Sequence, residues 1–391
     1  MSPCPYCRSG MTVERTLETV EIRNADALTP VQLHEWCNLS QGRPMRTPTW
    51  LLEWWRIYGA EPKALRLVLL YDVREPRQGK PERELVGLAP LYTDQFVGRN
   101  VFRLLGDAGD ICTDHTSWLA KSGYERLVSE RMAQYFTEQK AWHRLHFRAV
   151  DQADVIMDQT TRSLASQGYL VRRTPTDSCW AIELPDTWDD YLDMLSKSHR
   201  KRCRRLVRTY FDSGLVRVHE ATSSTFNETW QIFLKLHAKR WGDARRPAGS
   251  FTDRRFSEFH TRVARLLFDQ QRLRLCYLTY EDQPVAAEYQ FLDNETLYAY
   301  QSGMLEDAGS IQPGNLSLIA SIRFCLENRL KQMDLLRGNE PYKAHWRAQA
   351  TGCDDIRVLA SGVVGQLEVG LLGAKTMAAT WWKGHELHGD G

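Results

Sequence analysis

The chain has 391 residues, of which 42% are hydrophobic and 26% charged, and its 51 Lys and Arg against 49 Asp and Glu leave a formal net charge of +2. This usage argues against global disorder, a collagen-like repeat and a coiled coil, and the length predicts two domains or one large one. Near-neutrality confines any nucleic-acid or polyanion site to a local patch.

The first residues, Met-Ser-Pro-Cys-Pro-Tyr-Cys-Arg-Ser-Gly, lack the apolar core of a secretory signal, and no run of about 18 apolar residues occurs. The expectation is a cytoplasmic protein without a membrane span, its nine cysteines reduced. Cys4 and Cys7 form a C-x-x-C pair, but no second pair completes four zinc ligands and no strand or helix frames a redox motif. A flexible tail over 1–20 and a chain without metal are expected. The scattered cysteines, Cys179 and Cys353 among them, read as small core residues. Thirteen Trp predict a heavily packed core.

In chain order, Trp50, Leu51, Trp54, Trp55 and Tyr58 recur at helical spacing. Strands follow at Leu65–Tyr71, Glu84–Tyr92 and Val101–Gly106, by alternation and turn chemistry. Asp107, Asp110, Asp114 and His115 then stand in a polar loop whose spacing fits no EF-hand and which is expected to line a cleft. A helix is predicted over 124–138 and a strand over 144–150. The second half repeats the pattern: Phe256, Phe259, Val263, Leu266 and Leu267 at helical spacing, strands at 273–278, 284–292 and 296–302, a helix over 316–328 and a strand over 333–337. This duplication predicts two domains of like architecture, mixed α/β, each a mixed sheet flanked by helices. The division expected is a tail over 1–20, domains over 21–185 and 215–364, a basic linker helix over 186–214 begun by Thr187, and a terminal helix and tail over 365–391.

Three segments carry chemistry. The basic run Lys197 to Arg208 covers several faces of a helix; it suits phosphates, or is a solvated helix paired with Asp189, Asp190 and Asp193. Gln312-Pro313-Gly314-Asn315 links a strand to a helix N-terminus, a setting that suits an anion such as a pyrophosphate, although it matches neither common nucleotide loop. Asp334 to Arg347 leaves a strand and packs Arg337, Asn339, Glu340, Tyr342, Lys343, His345, Trp346 and Arg347 into a few turns, a density that points to a functional site.

Several arrays together resemble the CelD-like GNAT-type acyltransferases, themselves similar to Fem-type aminoacyltransferases. They are Ser-Lys-x-x-Arg-Lys-x-x-Arg-Arg at 196–205, Leu-His-x-x-Arg-Trp at 236–241, Tyr-x-Tyr-Gln-Ser-Gly at 298–303 and Leu-Arg-Gly-Asn-Glu-Pro-Tyr-Lys-x-x-Trp at 336–346. Leu-Leu-Gly-Asp at 104–107 and the Trp-rich helix belong to the same set. The resemblance implies tandem GNAT folds and transfer of an acyl group from acetyl-CoA, another acyl-CoA or a carrier thioester to an amine, sugar or peptide acceptor, in exopolysaccharide or cell-envelope synthesis. Asp334 and Gln301 are then the expected catalytic pair, with Lys343. Gln312, Gly314 and Asn315 are expected to bind the donor. Arg337, Asn339, Glu340, Tyr342, Trp346, Lys197, Arg200 and Asp110 are expected at the substrate. A tRNA-borne donor and a non-catalytic acyl-CoA-binding module are the alternatives.

Overall fold

The computed structural model describes residues 16–74, 82–96, 98–106, 113–139, 142–242, 249–305 and 311–360. Asp110, Cys4, Cys7 and the expected terminal helix lie outside the described residues.

The first half runs β1 (Leu17–Ile22), α1 (Pro30–Leu39), α2 (Pro48–Tyr58), β2 (Ala64–Arg74), β3 (Glu82–Phe96), β4 (Arg99–Leu104), β5 (Leu119–Ala120), α3 (Glu125–Glu138), β6 (Trp142–Asp151), α4 (Val155–Ser166) and β7 (Leu170–Pro175). The second continues with β8 (Cys179–Glu183), α5 (Trp188–Met194), α6 (Lys197–Leu206), β9 (Val216–Glu220), α7 (Phe226–Trp241), α8 (Arg254–Asp269), β10 (Leu273–Tyr280), β11 (Gln283–Leu292), β12 (Thr296–Met304), α9 (Pro313–Glu327), β13 (Gln332–Arg337), α10 (Tyr342–His345), β14 (Gln349–Thr351) and β15 (Cys353–Leu359). Local chemistry sets several helix starts. Thr29 and Gln32 form a capping box at α1, and Thr47, Asp154, Thr187, Ser196 and Asp253 each accept a main-chain N–H at their helices.

Two mixed sheets result. One has the order β1-β2-β3-β4-β6-β15-β7, with β5 beside β3; the other has the order β14-β8-β13-β12-β11-β10-β9. In each, a meander ends in a strand that pairs in parallel with the strand after the next helix: Phe102 opposite Leu145 in the first, Tyr298 opposite Asp334 in the second. The duplication read from alternation is present in the structure. The expected domain division does not follow the sheets. Residues 179–183, assigned to the first domain, pair in the second sheet, and residues 353–359, assigned to the second, pair in the first. Alternation identifies a strand but says nothing of its partner, which is set by distant chain.

The halves share one hydrophobic cluster. α2 packs on α8, and Trp50 meets Phe259, Phe291 and Tyr300 edge-on at centroid distances of 4.9, 5.2 and 5.6 Å. Trp36, Trp50, Trp54, Trp118 and Trp346 are fully buried, so these tryptophans are core.

Candidate active site

β12 and β13 pair only from Thr296–Tyr298 against Gln332–Asp334, and then part. Both strands bulge near the parting. Tyr289 faces Gln301 and Phe291 faces Tyr298, so β12 carries an extra residue around Ala299 and Tyr300. Asp334 faces Ala181 and Arg337 faces Cys179, so β13 carries one around Leu336, whose φ is 56°. Between the strands lies a cavity of about 730 Å³, lined also by His237, Arg240 and Trp241 of α7 and by the start of α9. Along it, β12 from Ala299 to Met304 is no longer paired with β13. α7 lies tight against β12: a Cβ on Gly303 would fall 2.2 Å from the His237 nitrogen. His237 Nε2 is 3.2 Å from Gln301 Oε1, and Trp241 Nε1 donates to the Ser302 carbonyl at 3.1 Å.

At the cavity's end, Gln312 precedes α9 with a left-handed φ of 54°. Its Oε1 accepts from Arg202 Nε at 3.0 Å and Asn315 Nδ2 at 3.1 Å instead of capping the helix. The start of α9 thus has no side-chain cap; Pro313 has no N–H and the Asn315 N–H donates to the Gln312 carbonyl at 3.0 Å, so the Gly314 N–H is the amide this turn offers, at the positive end of the helix dipole. The left-handed conformation belongs to Gln312, whereas Gly314 is helical, and a Cβ there would meet Met304 Cε at 3.2 Å. The Arg202 bond brings the basic helix α6 to this point. Lys197, Lys201, Arg204 and Arg205 are exposed on it, and Arg208 just beyond its end. Arg200 is not available in the same way: it donates to Asp193 Oδ1 at 2.7 Å and to the Asp193 carbonyl at 3.1 Å, tying α6 to α5.

Sequence reasoning missed Glu288 on β11. It lines the cavity, is 8% exposed, and accepts hydrogen bonds from the Ser317 hydroxyl and, at 3.3 Å, from Gln290 Nε2. Burial pushes its pKa up to about 7, against the Ser317 hydrogen bond and the nearby Arg240 and Arg274. The available signal was a glutamate in the middle of a largely apolar strand.

The 333–347 segment divides. Met333 and Leu335 face the cavity, with Arg337, Glu340, Tyr342, Lys343 and Trp346 also on its wall. Asp334, expected beside Gln301, points to the other face because side chains alternate along a strand. Lys343 is 2% exposed, and its ammonium donates to the Leu336 and Gly338 carbonyls, each at 3.0 Å, and pairs with Glu340 at 3.0 Å. It therefore holds the bulged end of β13. Asn339 joins Ser178, Trp180 and Asp177 on the β8 side, outside the cavity. Trp346 is buried against His199 at 4.7 Å and is wall, not an exposed stacking face. Tyr342 is 43% exposed.

A second cavity, of about 480 Å³, lies on the Asp334 side. His115 bridges two carboxylates there, with Nε2 2.9 Å from Asp334 and Nδ1 2.8 and 3.0 Å from the two Asp151 oxygens. Burial opposes the imidazolium, but these two hydrogen bonds outweigh it and hold the pKa well above its ordinary value. Asp334 Oδ1 accepts the Leu336 N–H at 2.7 Å. Arg337 pairs with Asp114 at 3.2 Å, and Asp114 lines both cavities. The buried thiols of Cys179 and Cys353 approach to 3.6 Å beside Asp151.

Residues 197–344 match the acetyltransferase (GNAT) domain family, and this span holds the parted strands, α9 and the basic helix. The match takes in β9 to β13 of the second sheet and none of the first. Among solved structures it is similar to FemX, at 9% identity and a TM-score of 0.56 over 86% of this chain and 96% of that one, which is a likeness of fold. Other matches are a conserved protein of unknown function from Bacteroides thetaiotaomicron (10% identity, TM-score 0.49, 83% and 92% covered) and a tandem GNAT protein from the clavulanic acid biosynthesis pathway (10% identity, TM-score 0.41, 88% and 99% covered). Comparison with curated protein sequences returned no match. No helix among the described residues is long and apolar enough to cross a membrane.

Proposed function

We propose that the protein binds an acyl thioester between β12 and β13 and transfers the acyl group to an amine or hydroxyl acceptor. The observation that carries this reading is the parting of the two parallel strands beside the uncapped start of α9. The β12 edge that has left β13 suits the amide-bearing arm of acyl-CoA, and the Gly314 amide at the positive end of α9 suits its pyrophosphate. Exposed Lys and Arg of α6 supply further positive charge nearby.

In this reading the acceptor nitrogen or oxygen attacks the thioester carbonyl directly, with no side-chain nucleophile. Glu288 takes the acceptor proton, because a base with a pKa about 7 is both ionised and basic near neutrality. Main-chain N–H groups at the β12 bulge stabilise the oxyanion. The C–S bond then breaks, and the thiolate leaves with a proton from solvent. Gln301 and Tyr342 line the acceptor's path, while Asp334 and Lys343 act as positioning residues for β13. The finer assignment, a CelD-like enzyme acting cytoplasmically in polysaccharide or cell-envelope synthesis, rests on the sequence resemblance.

A second reading, an aminoacyl-tRNA donor, draws on the exposed basic face of α6, whose phosphate contacts would make binding steeply salt-dependent. The test is release of free thiol from acetyl-CoA and longer acyl-CoAs in the presence of small amines and amino sugars. Thiol release that depends on both protein and acceptor supports the proposal. No release above the Glu288→Gln background, with any donor, would overturn it.

A further inference from the structure

The chain crosses between the two sheets twice, and each crossing ends at a cysteine. Cys179 opens β8 after the chain leaves β7 in the first sheet, and Cys353 opens β15 after it leaves β14 in the second. The two thiols meet at 3.6 Å, although 174 positions separate them. Asp151, the last residue of β6, lies 3.6 Å from the Cys353 sulfur. One ligand atom each from His115, Asp151 and Cys179 lie within 4.8 Å of one another.

We propose that Cys179, Cys353, Asp151 and His115 hold one zinc ion, which clamps the two sheets at the place where the chain crosses between them. The spacing supports this. With metal–ligand bonds of about 2.3 Å to sulfur and about 2.0 Å to oxygen and nitrogen, a tetrahedral ion separates two sulfurs by about 3.8 Å, sulfur from oxygen by about 3.5 Å and nitrogen from oxygen by about 3.3 Å. Both sulfur distances are already close to these values. The 2.8 Å separation of His115 Nδ1 from Asp151 must open by about half an ångström, and the Cys353 sulfur, which lies outside the group within 4.8 Å, must draw in toward His115.

The donor chemistry agrees. Two thiols, an imidazole and a carboxylate favour zinc over the oxygen-seeking cations. His115 gives its other ring nitrogen to Asp334 at 2.9 Å, the carboxylate partner that orients a metal-bound imidazole. The His115 backbone is held at a φ of 55°, where a histidine rarely sits, and its carbonyl accepts from Arg46 Nε at 2.7 Å. Three carboxylates, Asp114, Asp151 and Asp334, stand around the cluster with the guanidiniums of Arg46 and Arg337. Binding releases the two thiol protons and the Nδ1 proton to solvent. The 480 Å³ cavity supplies the entry path.

The full chain, purified without chelator, should carry about one zinc per molecule by plasma mass spectrometry. Cobalt exchanged into it should give a thiolate-to-metal charge-transfer band that zinc abolishes. Cys179→Ser and Cys353→Ser should each lose the metal, Asp334→Asn should weaken binding about 10- to 100-fold, and the Cys4→Ser, Cys7→Ser double variant should keep it. Should the Cys179 and Cys353 variants fail to fold, the cobalt spectrum of the unaltered chain decides. The proposal is overturned by a metal content near zero with no cobalt band, by loss of metal on removing Cys4 and Cys7, or by a Cys179–Cys353 disulfide in the purified protein.

Discussion

Arg202 donates its Nε to Gln312 Oε1 at 3.0 Å, and this one bond ties the basic helix α6 to the uncapped start of α9. Two segments that sequence reading treats as separate phosphate candidates are thereby one surface. Arg202→Ala should raise the Kd for an acyl-CoA several-fold while leaving the thermal midpoint within about 1–2 °C, since exposed polar contacts contribute little to stability. Titration and melting of the same variant check both halves of the statement. A clearly lowered midpoint with unchanged affinity would make the contact structural only.

Lys343 is expected from sequence to act on substrate, but its buried ammonium is occupied by two carbonyls. Lys343→Ala should therefore destabilise the protein, by about 2–4 kcal/mol, because both acceptors stay buried without their donor. Glu340→Gln should cost less than about 1 kcal/mol, since that carboxylate is half exposed. Denaturant unfolding of the two variants separates them; equal stabilities would contradict the brace.

Glu288 predicts the pH dependence. Its proton blocks base catalysis below a pKa of about 7 and leaves above it, so kcat/KM should rise with pH and level off past neutrality. Glu288→Gln should remove that limb and lower the rate about 10²- to 10⁴-fold. The stability sign is opposite. The folded group keeps its proton to about 7, whereas an ordinary glutamate loses it near 4.5, so stability should fall as pH rises across that window. The Gln variant should show a flatter profile there; an unchanged slope would remove Glu288 as its source.

Trp50 packs α2 against the second half's Phe259, Phe291 and Tyr300. Its truncation to Ala should cost about 3–5 kcal/mol and lower the stability of both halves together. Calorimetry of the unaltered protein should show one unfolding transition. Two well-separated transitions would mean that the shared cluster does not couple the halves.

Much of this fold is legible in the sequence, because the meander strands are runs of strand formers and turns mark their ends, Gly98-Arg99-Asn100 in the first meander and Asp282-Gln283 and Asp293-Asn294 in the second. Helices α2, α3, α8 and α9 are legible from apolar spacing. What the sequence hides is non-local. Whether Asp334 faces one cavity or the other depends on the register of β13 against β8, including a bulge at Leu336 that no residue type announces. The partners of β8 and β15 are hidden for the same reason. Cys179 and Cys353 read as isolated core residues because 174 positions separate them. His115 stands in a loop read only as polar, and its partners Asp151 and Asp334 come from strands in different sheets. Arg200 and Lys343 look functional in sequence because a charged residue in a dense motif does not reveal whether its charge is already satisfied.

The central claim is that an acyl thioester sits between β12 and β13 with its pyrophosphate at the Gly314 amide and the positive end of α9. Calorimetric titration of acetyl-CoA and longer acyl-CoAs tests it most directly, with Gly314→Val and a Lys201, Arg204, Arg205 charge reversal run alongside. The account predicts saturable one-to-one binding, at least about tenfold weaker in Gly314→Val because its side chain crowds Met304 and the phosphate approach, and only modestly weaker on charge reversal. No binding of any acyl-CoA, with tight tRNA binding that collapses as salt rises and is lost on charge reversal, would contradict it.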